Sequence, residues 1–389
     1  CPHSLLQLEP SPFAALAGFA QPTAQQCAAA ATGSGRATKA AFIEPHLDFP
    51  APLVLPHDDL NYDPDCSPQS VKSWAQLKSR NKLSPRNVRD TLYVARVPTI
   101  AKEVEFMRTW TTPVLSGASR AAVFKSIPSP STELFVDYLR SFYYGLNIKV
   151  LQTPLEWIAW DSVNQPRRNV NQPRYVGLAH DDECTRVRVR SAPDGKFIAQ
   201  LNLDDIIDAA ISVLPVNAYA LVLLVDHDIH ENEDDDFCYG RAYGGSRVAV
   251  VQTARYNPCL DACDNIDRSH MWPSSHCKMF VDELCAVEGV QQRPPTKQQS
   301  GNSRKGSMRA TIDAAMAQGT AGDTAQLSSC LWFSRVARTV SHELGHCFGL
   351  AHCVYYACNM QGTASMKEDV RQPPYLCPVC EAKVAHAIV

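Results

Sequence analysis

His342, Glu343, His346 and His352 have the residue types and spacing for metal-assisted hydrolysis, within Ser341-His-Glu-Leu-Gly-His-Cys-Phe-Gly-Leu-Ala-His-Cys353. On a helix, positions i and i+4 lie about one turn apart, so His342 and His346 leave the same face and can share one cation. Glu343 projects to the side, where a carboxylate reaches a metal-activated water without ligating the metal. Gly349 permits a sharp turn, because only glycine takes positive φ without a Cβ penalty. The turn returns His352 as a third ligand and leaves a fourth zinc position open, the arrangement of a catalytic site.

His-Glu-x-x-His alone recurs by accident in roughly 5% of chains this long, and then describes an ordinary helix with surface histidines. Fixing Gly349 and His352 as well lowers that rate to roughly 1 in 10,000, which favours a metzincin-type zinc hydrolase. Beyond His352 lie Cys353, Cys358, Met360 and Cys377-Pro-Val-Cys380. Two close cysteine pairs separated by a loop have the spacing of a closed thiolate zinc site. Four sulfurs leave no position for substrate, so this second zinc is expected to be structural, contributing on the order of 10 kcal/mol of apparent folding free energy. Two disulfides or four buried thiols are the alternative reading.

Taken together, these residues resemble the archaemetzincin family, whose signature is HExxHxxGxxHCx4CxM, a spacer and CxxC. Here the spacer between Met360 and Cys377 is sixteen residues, about one shorter than usual. The resemblance is firm over His342 to Cys380 and weaker upstream, in Tyr219 to Val225 and Val248 to Tyr256. It implies that Met360 forms the hydrophobic floor below the catalytic zinc. It also implies that an edge strand lines the cleft and hydrogen-bonds a peptide substrate. Val248, Ala249, Val250, Val251, Gln252 and Thr253 are the candidates for that strand, with an interior strand as the competing reading. Aminopeptidase-like action on short peptides is a further implication.

The elements that must position these groups are unevenly legible. The chain has 389 residues, 45% hydrophobic and 20% charged, with a formal net charge of −3. That suffices for one large domain or two ordinary ones and gives no support for nucleic-acid binding. No apolar run approaches the roughly 18 residues of a membrane span. Fifteen cysteines, an odd number, and the absence of an Asn-x-Ser/Thr sequon point to a reducing compartment. The start lacks the basic-then-apolar order of a secretory signal, so a cytoplasmic or nuclear location is expected.

Residues 1–90, rich in Pro, Ala, Ser and Gln, read as a mostly disordered or loosely docked extension. Residues 91–389 read as the catalytic domain, with an insertion at about 257–326 and the four-cysteine zinc subsite at 353–380. Leu92–Val97 and Leu146–Leu151 read as strands, and 132–144 and 202–214 as amphipathic helices. Tyr219–Val225 is a continuous apolar run, the mark of a strand covered on both sides. The expected fold is therefore α/β, a metzincin-like domain with a twisted, mostly parallel sheet and an edge strand over the active-site helix. Leu331, Phe333, Val336, Ala337, Val340 and Leu344 form the stripe that seats that helix. The acidic run Asp226–Asp236 reads as a solvated loop. Gln291–Gly306 reads as a flexible loop placed to overhang the cleft. Cys259, Cys263, Cys277 and Cys285, with His270 and His276, fit no recognised metal spacing.

The expected mechanism is peptide-bond hydrolysis with two zinc ions per chain, one catalytic and one structural. Glu343 takes the proton of the attacking water and delivers it to the leaving amine. Tyr355 and Tyr356 are candidates for a second oxyanion donor. The partner is then a peptide or protein substrate, not nucleic acid or membrane. Two rivals stand beside this reading: a zinc-stabilised scaffold that binds a peptide or protein without cleaving it, and a secreted metzincin with disulfides in place of the cysteine zinc site.

Overall fold

The computed structural model describes residues 1–37, 48–83, 89–114, 127–160, 173–290, 294–318 and 324–388. Its strands are β1 (Thr91–Ala95), β2 (Thr99–Ile100), β3 (Asn147–Val150), β4 (Glu156–Ala159), β5 (Tyr175–His180) and β6 (Glu183–Arg190). They continue with β7 (Gln200–Asn202), β8 (Ala218–Val225), β9 (Asp228–His230), β10 (Gly240–Tyr243) and β11 (Val248–Gln252). One sheet has the order β10-β11-β8-β1-β3 and is parallel except for β10, which runs antiparallel to β11. A second, mixed sheet, β2-β4-β5-β6-β7-β9, was not anticipated from the sequence. Its longest strand, β6, alternates polar and apolar residues at Thr185-Arg-Val-Arg-Val-Arg190, the pattern of a half-exposed strand.

The continuous apolar run of β8 is explained by burial on both faces. Ala220, Val222 and Leu224, with Ala249 and Val251 of β11, join the cluster around Val336, Val340 and Leu344 of the helix Ala325–Cys347. Leu221, Leu223 and Val225, with Val248 and Val250, instead pack with Ile206, Ile207 and Ala210 of the helix Leu203–Ser212. Successive side chains point to opposite faces, so both must be apolar. Fully burying each such Leu or Val contributes about 1.5–3 kcal/mol, set against the entropy of ordering it. The helix Ala325–Cys347 is therefore clamped beneath the sheet, with Thr324 as its N-cap. Its stripe is buried at Val336, Ala337, Val340 and Leu344 and only partly at Leu331 and Phe333. Buried Arg335 and Arg338 extend the packed surface by pairing with Asp261 and Asp369.

Four expectations need correction. Val248–Thr253 is not the edge: β11 lies between β8 and β10, and all five of its residues are buried. The same apolar run that drew attention to it is the signature of an interior strand. The edge is β10, Gly-Arg-Ala-Tyr, whose mixed character suits one protected and one open side.

Residues 1–90 do not behave as a disordered extension over 1–37 and 48–83. Trp74, Val54 and Leu55 are fully buried, and Leu53, Val54, Leu55 and Leu60 pack with Val281 and Cys285. The compositional bias hid short apolar groups whose partners are more than two hundred residues away. Residues 38–47 and 84–88 of this stretch lie outside the described residues.

The insertion carries helices at Lys278–Val287, Lys297–Asn302 and Ser307–Gln318, and the second of them falls within Gln291–Gly306, where a flexible loop was expected. Thr296 and Gln299 form a reciprocal capping box that starts the second of these. Residues 291–293 and 319–323 lie outside the described residues. The acidic run is also more ordered than a solvated loop. Buried Asp228 accepts hydrogen bonds from Gln200, Gln252 and Arg255. Among the described residues, no helix is long and apolar enough to cross a membrane.

Candidate metal centre and active-site cleft

The helix Ala325–Cys347 ends in a Schellman motif that creates the site. Gly349, at φ 80°, donates its N–H to the His346 carbonyl at 2.8 Å, and Leu350 donates to the Gly345 carbonyl at 3.1 Å. The returning chain places the Leu350 carbonyl 2.7 Å from His346 Nδ1. Further on, the Asn359 carbonyl lies 2.7 Å from His342 Nδ1. With both Nδ1 atoms donating to backbone carbonyls, the Nε2 lone pairs of the two rings are free and face each other at 3.0 Å. His352 completes the group: one nitrogen from each of the three rings lies within 4.8 Å of the others.

This donor set fits zinc. Tetrahedral Zn–N bonds of about 2.0–2.1 Å place ligand nitrogens about 3.4 Å apart, close to the spacing seen. Burial, with His346 and His352 alongside, holds the His342 imidazole well below its usual pKa. Burial and His352 lower His346 to about 4. Neutral imidazoles are the form a metal requires.

Glu343 faces the same cleft, whose volume is about 880 Å³. Burial pushes its carboxyl up to about 8, opposed by the Arg241 cation and a hydrogen bond from the Ala242 N–H. Both opposing groups belong to β10. The edge strand and the acid are therefore in contact, and Gly240, Arg241 and Ala242 line the cleft above the histidines.

Met360 is fully buried, with its sulfur in the space that a side chain on Gly345 would need. Its carbonyl accepts the Cys353 N–H at 2.7 Å, tying this turn to the cysteine group. The sulfurs of Cys353, Cys358, Cys377 and Cys380 lie within 4.8 Å of one another, and all four residues are buried. Cys358 Sγ accepts the N–H groups of Met360 at 3.4 Å and Cys377 at 3.2 Å. A single four-sulfur cluster fits one tetrahedral zinc better than two separate bridges.

Several residues at the site escaped the sequence reading. Asp59 lines the cleft, and a side chain on Gly362 would meet its carboxylate while standing 2.9 Å from His352 Nδ1. Asn81 Nδ2 donates to the carbonyls of Gly244 at 2.7 Å and Cys347 at 3.1 Å. Trp74 Nε1 donates to the Phe348 carbonyl at 3.0 Å, and Gln69 Nε2 to that of Gly349 at 3.0 Å. Nothing local in the sequence marks these contacts, because their partners lie more than 160 residues away. Tyr355 and Tyr356, the expected oxyanion donors, are buried in the core instead and do not line the cleft. None of the described residues in 288–307 lines it either, so the expected overhang is not seen.

The three histidines thus form a candidate metal centre with a carboxylate in the cleft beside it. Residues 324–386 match the profile described as Peptidase family M54. Archaemetzincin-2 of Macaca fascicularis is 46% identical over 54 residues, which are 14% of this chain and 15% of that protein. Archaemetzincin-1 of Homo sapiens is 25% identical over 189 residues, 49% of this chain and 31% of that protein. The crystal structure of archaemetzincin from Methanopyrus kandleri aligns with a TM-score of 0.34 and 15% identity, covering 78% of this chain and 98% of that one. The similarity to archaemetzincins is thus concentrated in residues 324–386, and the matched part spans only about 15% of the length of the archaemetzincin-2 relatives.

Proposed function

We propose that the chain is a zinc-dependent peptidase, in which Glu343 is the general base and an extended peptide lies along β10. The observation that carries this reading is the convergence of His342, His346 and His352 in the cleft that Glu343 and the edge strand share. His342, His346 and His352 would hold a zinc ion, which when bound would supply the Lewis acidity that lowers the pKa of a water from 15.7 to about 7. Glu343 accepts that water's proton and passes it to the leaving amine. The open side of β10 offers main-chain groups that pair with a peptide backbone whatever its side chains. The sulfurs of Cys353, Cys358, Cys377 and Cys380 would hold a second, structural zinc that braces the turn carrying Met360.

The test pairs zinc analysis with digestion of a peptide library by the parent and by Glu343→Gln. The parent should bind zinc and cut, with the cut bonds showing whether it removes N-terminal residues from short peptides, as the family resemblance implies. The variant should keep its zinc and lose cleavage by roughly 10²–10⁴-fold. A parent that binds zinc and peptides but cuts none would favour the non-cleaving scaffold.

A further inference from the structure

A third cluster of metal-binding side chains lies away from the cleft. Cys1, His3, His270 and Cys277 each place one ligand atom within 4.8 Å of those of the other three. We propose that these four residues form a Cys2His2 zinc site that fastens the segment Cys1–Leu8 to the insertion.

The histidines are prepared for a cation. His3 is 3% exposed, yet neither of its ring nitrogens has a hydrogen-bond partner. Leaving a buried polar group unpaired is costly, so such a ring needs an occupant that this protein's own atoms do not supply. His270 repeats the observation at Nε2, which is also buried and unpartnered. Its Nδ1 lies 2.6 Å from the Asp267 carboxylate, and Phe280 stacks on its ring at 4.1 Å. That carboxylate fixes the tautomer with Nε2 unprotonated, the arrangement that orients and strengthens a histidine ligand. The two imidazole rings stand 5.3 Å apart between centroids.

The sulfurs complete the set. Cys277 is buried and occupies the N-cap of the helix Lys278–Val287. Cys1 Sγ lies 2.6 Å from its sulfur, so the two sulfurs must part by about 1 Å to share a zinc with Zn–S bonds of about 2.3 Å. Backbone bonds hold the two segments in register: Lys278 N–H to the Leu5 carbonyl at 2.9 Å, and Gln7 N–H to the His276 carbonyl at 2.8 Å. Two thiolates and two imidazoles suit tetrahedral zinc in a closed, structural site. Cys1 and Cys277 are 276 positions apart, so no local spacing could reveal this site.

Zinc content and the absorption of a cobalt(II)-substituted sample test the proposal on the full chain, prepared under reducing conditions. The parent should hold one zinc more than His3→Ala, His270→Ala or Cys1→Ser, and peptide cleavage should survive in all three. Cobalt(II) should give thiolate charge-transfer bands that weaken in Cys1→Ser and stay in Glu343→Gln. Cys1→Ser, at an exposed residue, keeps the comparison valid if His3→Ala fails to fold. Equal zinc in the parent and all folded variants would overturn the proposal. So would a Cys1–Cys277 disulfide found by peptide mapping of the reduced-then-purified protein.

Discussion

The Glu343 carboxylate accepts a hydrogen bond from the backbone N–H of Ala242, joining the proposed base directly to the edge strand. A side chain that must meet both a water and a fixed backbone group depends on its length. We expect Glu343→Asp, which keeps the charge but retracts the carboxyl by a methylene, to lower kcat by about 10²-fold. Steady-state kinetics beside zinc analysis checks this. Parental kcat in the aspartate variant would remove the need for that contact.

Gly362 has no room for a side chain, with the Asp59 carboxylate and His352 Nδ1 on that side. Gly362→Ala should therefore displace the third histidine. The expected result is catalytic zinc bound about 10–100-fold more weakly, read by competition with a chelator, while the zinc of the cysteine cluster stays bound.

Gly345 is occupied in the same sense by the Met360 sulfur. Gly345→Ala should overpack this floor and cost about 1–3 kcal/mol, measured by denaturant unfolding of the zinc-loaded protein. Adding Met360→Ala should recover part of that loss if the clash is its cause. Additive losses would point elsewhere.

Cys358 is fully buried and accepts two backbone N–H groups through its sulfur. Cys358→Ser should release one zinc and markedly lower the melting temperature. The cleft histidines should retain some affinity for their metal. A melt like the parent's would argue against a structural role for the cluster.

The site was legible because its parts are close in sequence: one helical turn sets His342 and His346, and Gly349 fixes the return of His352. The edge strand was not. An uninterrupted apolar stretch such as Val248–Val251 reports burial on both faces, and the short Gly240–Tyr243 has no pattern of its own. The second sheet and the docked residues of 48–83 were missed for a related reason. Trp74 and Asn81 acquire their meaning from carbonyls at Phe348 and Cys347, and no window of neighbouring residues contains both partners. The parallel character of the first sheet was foreseen because the apolar run at Tyr219–Val225 requires cover above and below.

Gln69, Trp74 and Asn81 together occupy carbonyl oxygens at the end of the helix that bears His342 and His346. A fragment trimmed to begin at β1, though it would keep every zinc ligand of the cleft, would strand those oxygens in a dry interior. The smallest working piece of this protein must therefore reach upstream of Gln69, and fragments cut at the apparent start of the sheet should yield insoluble or metal-poor material.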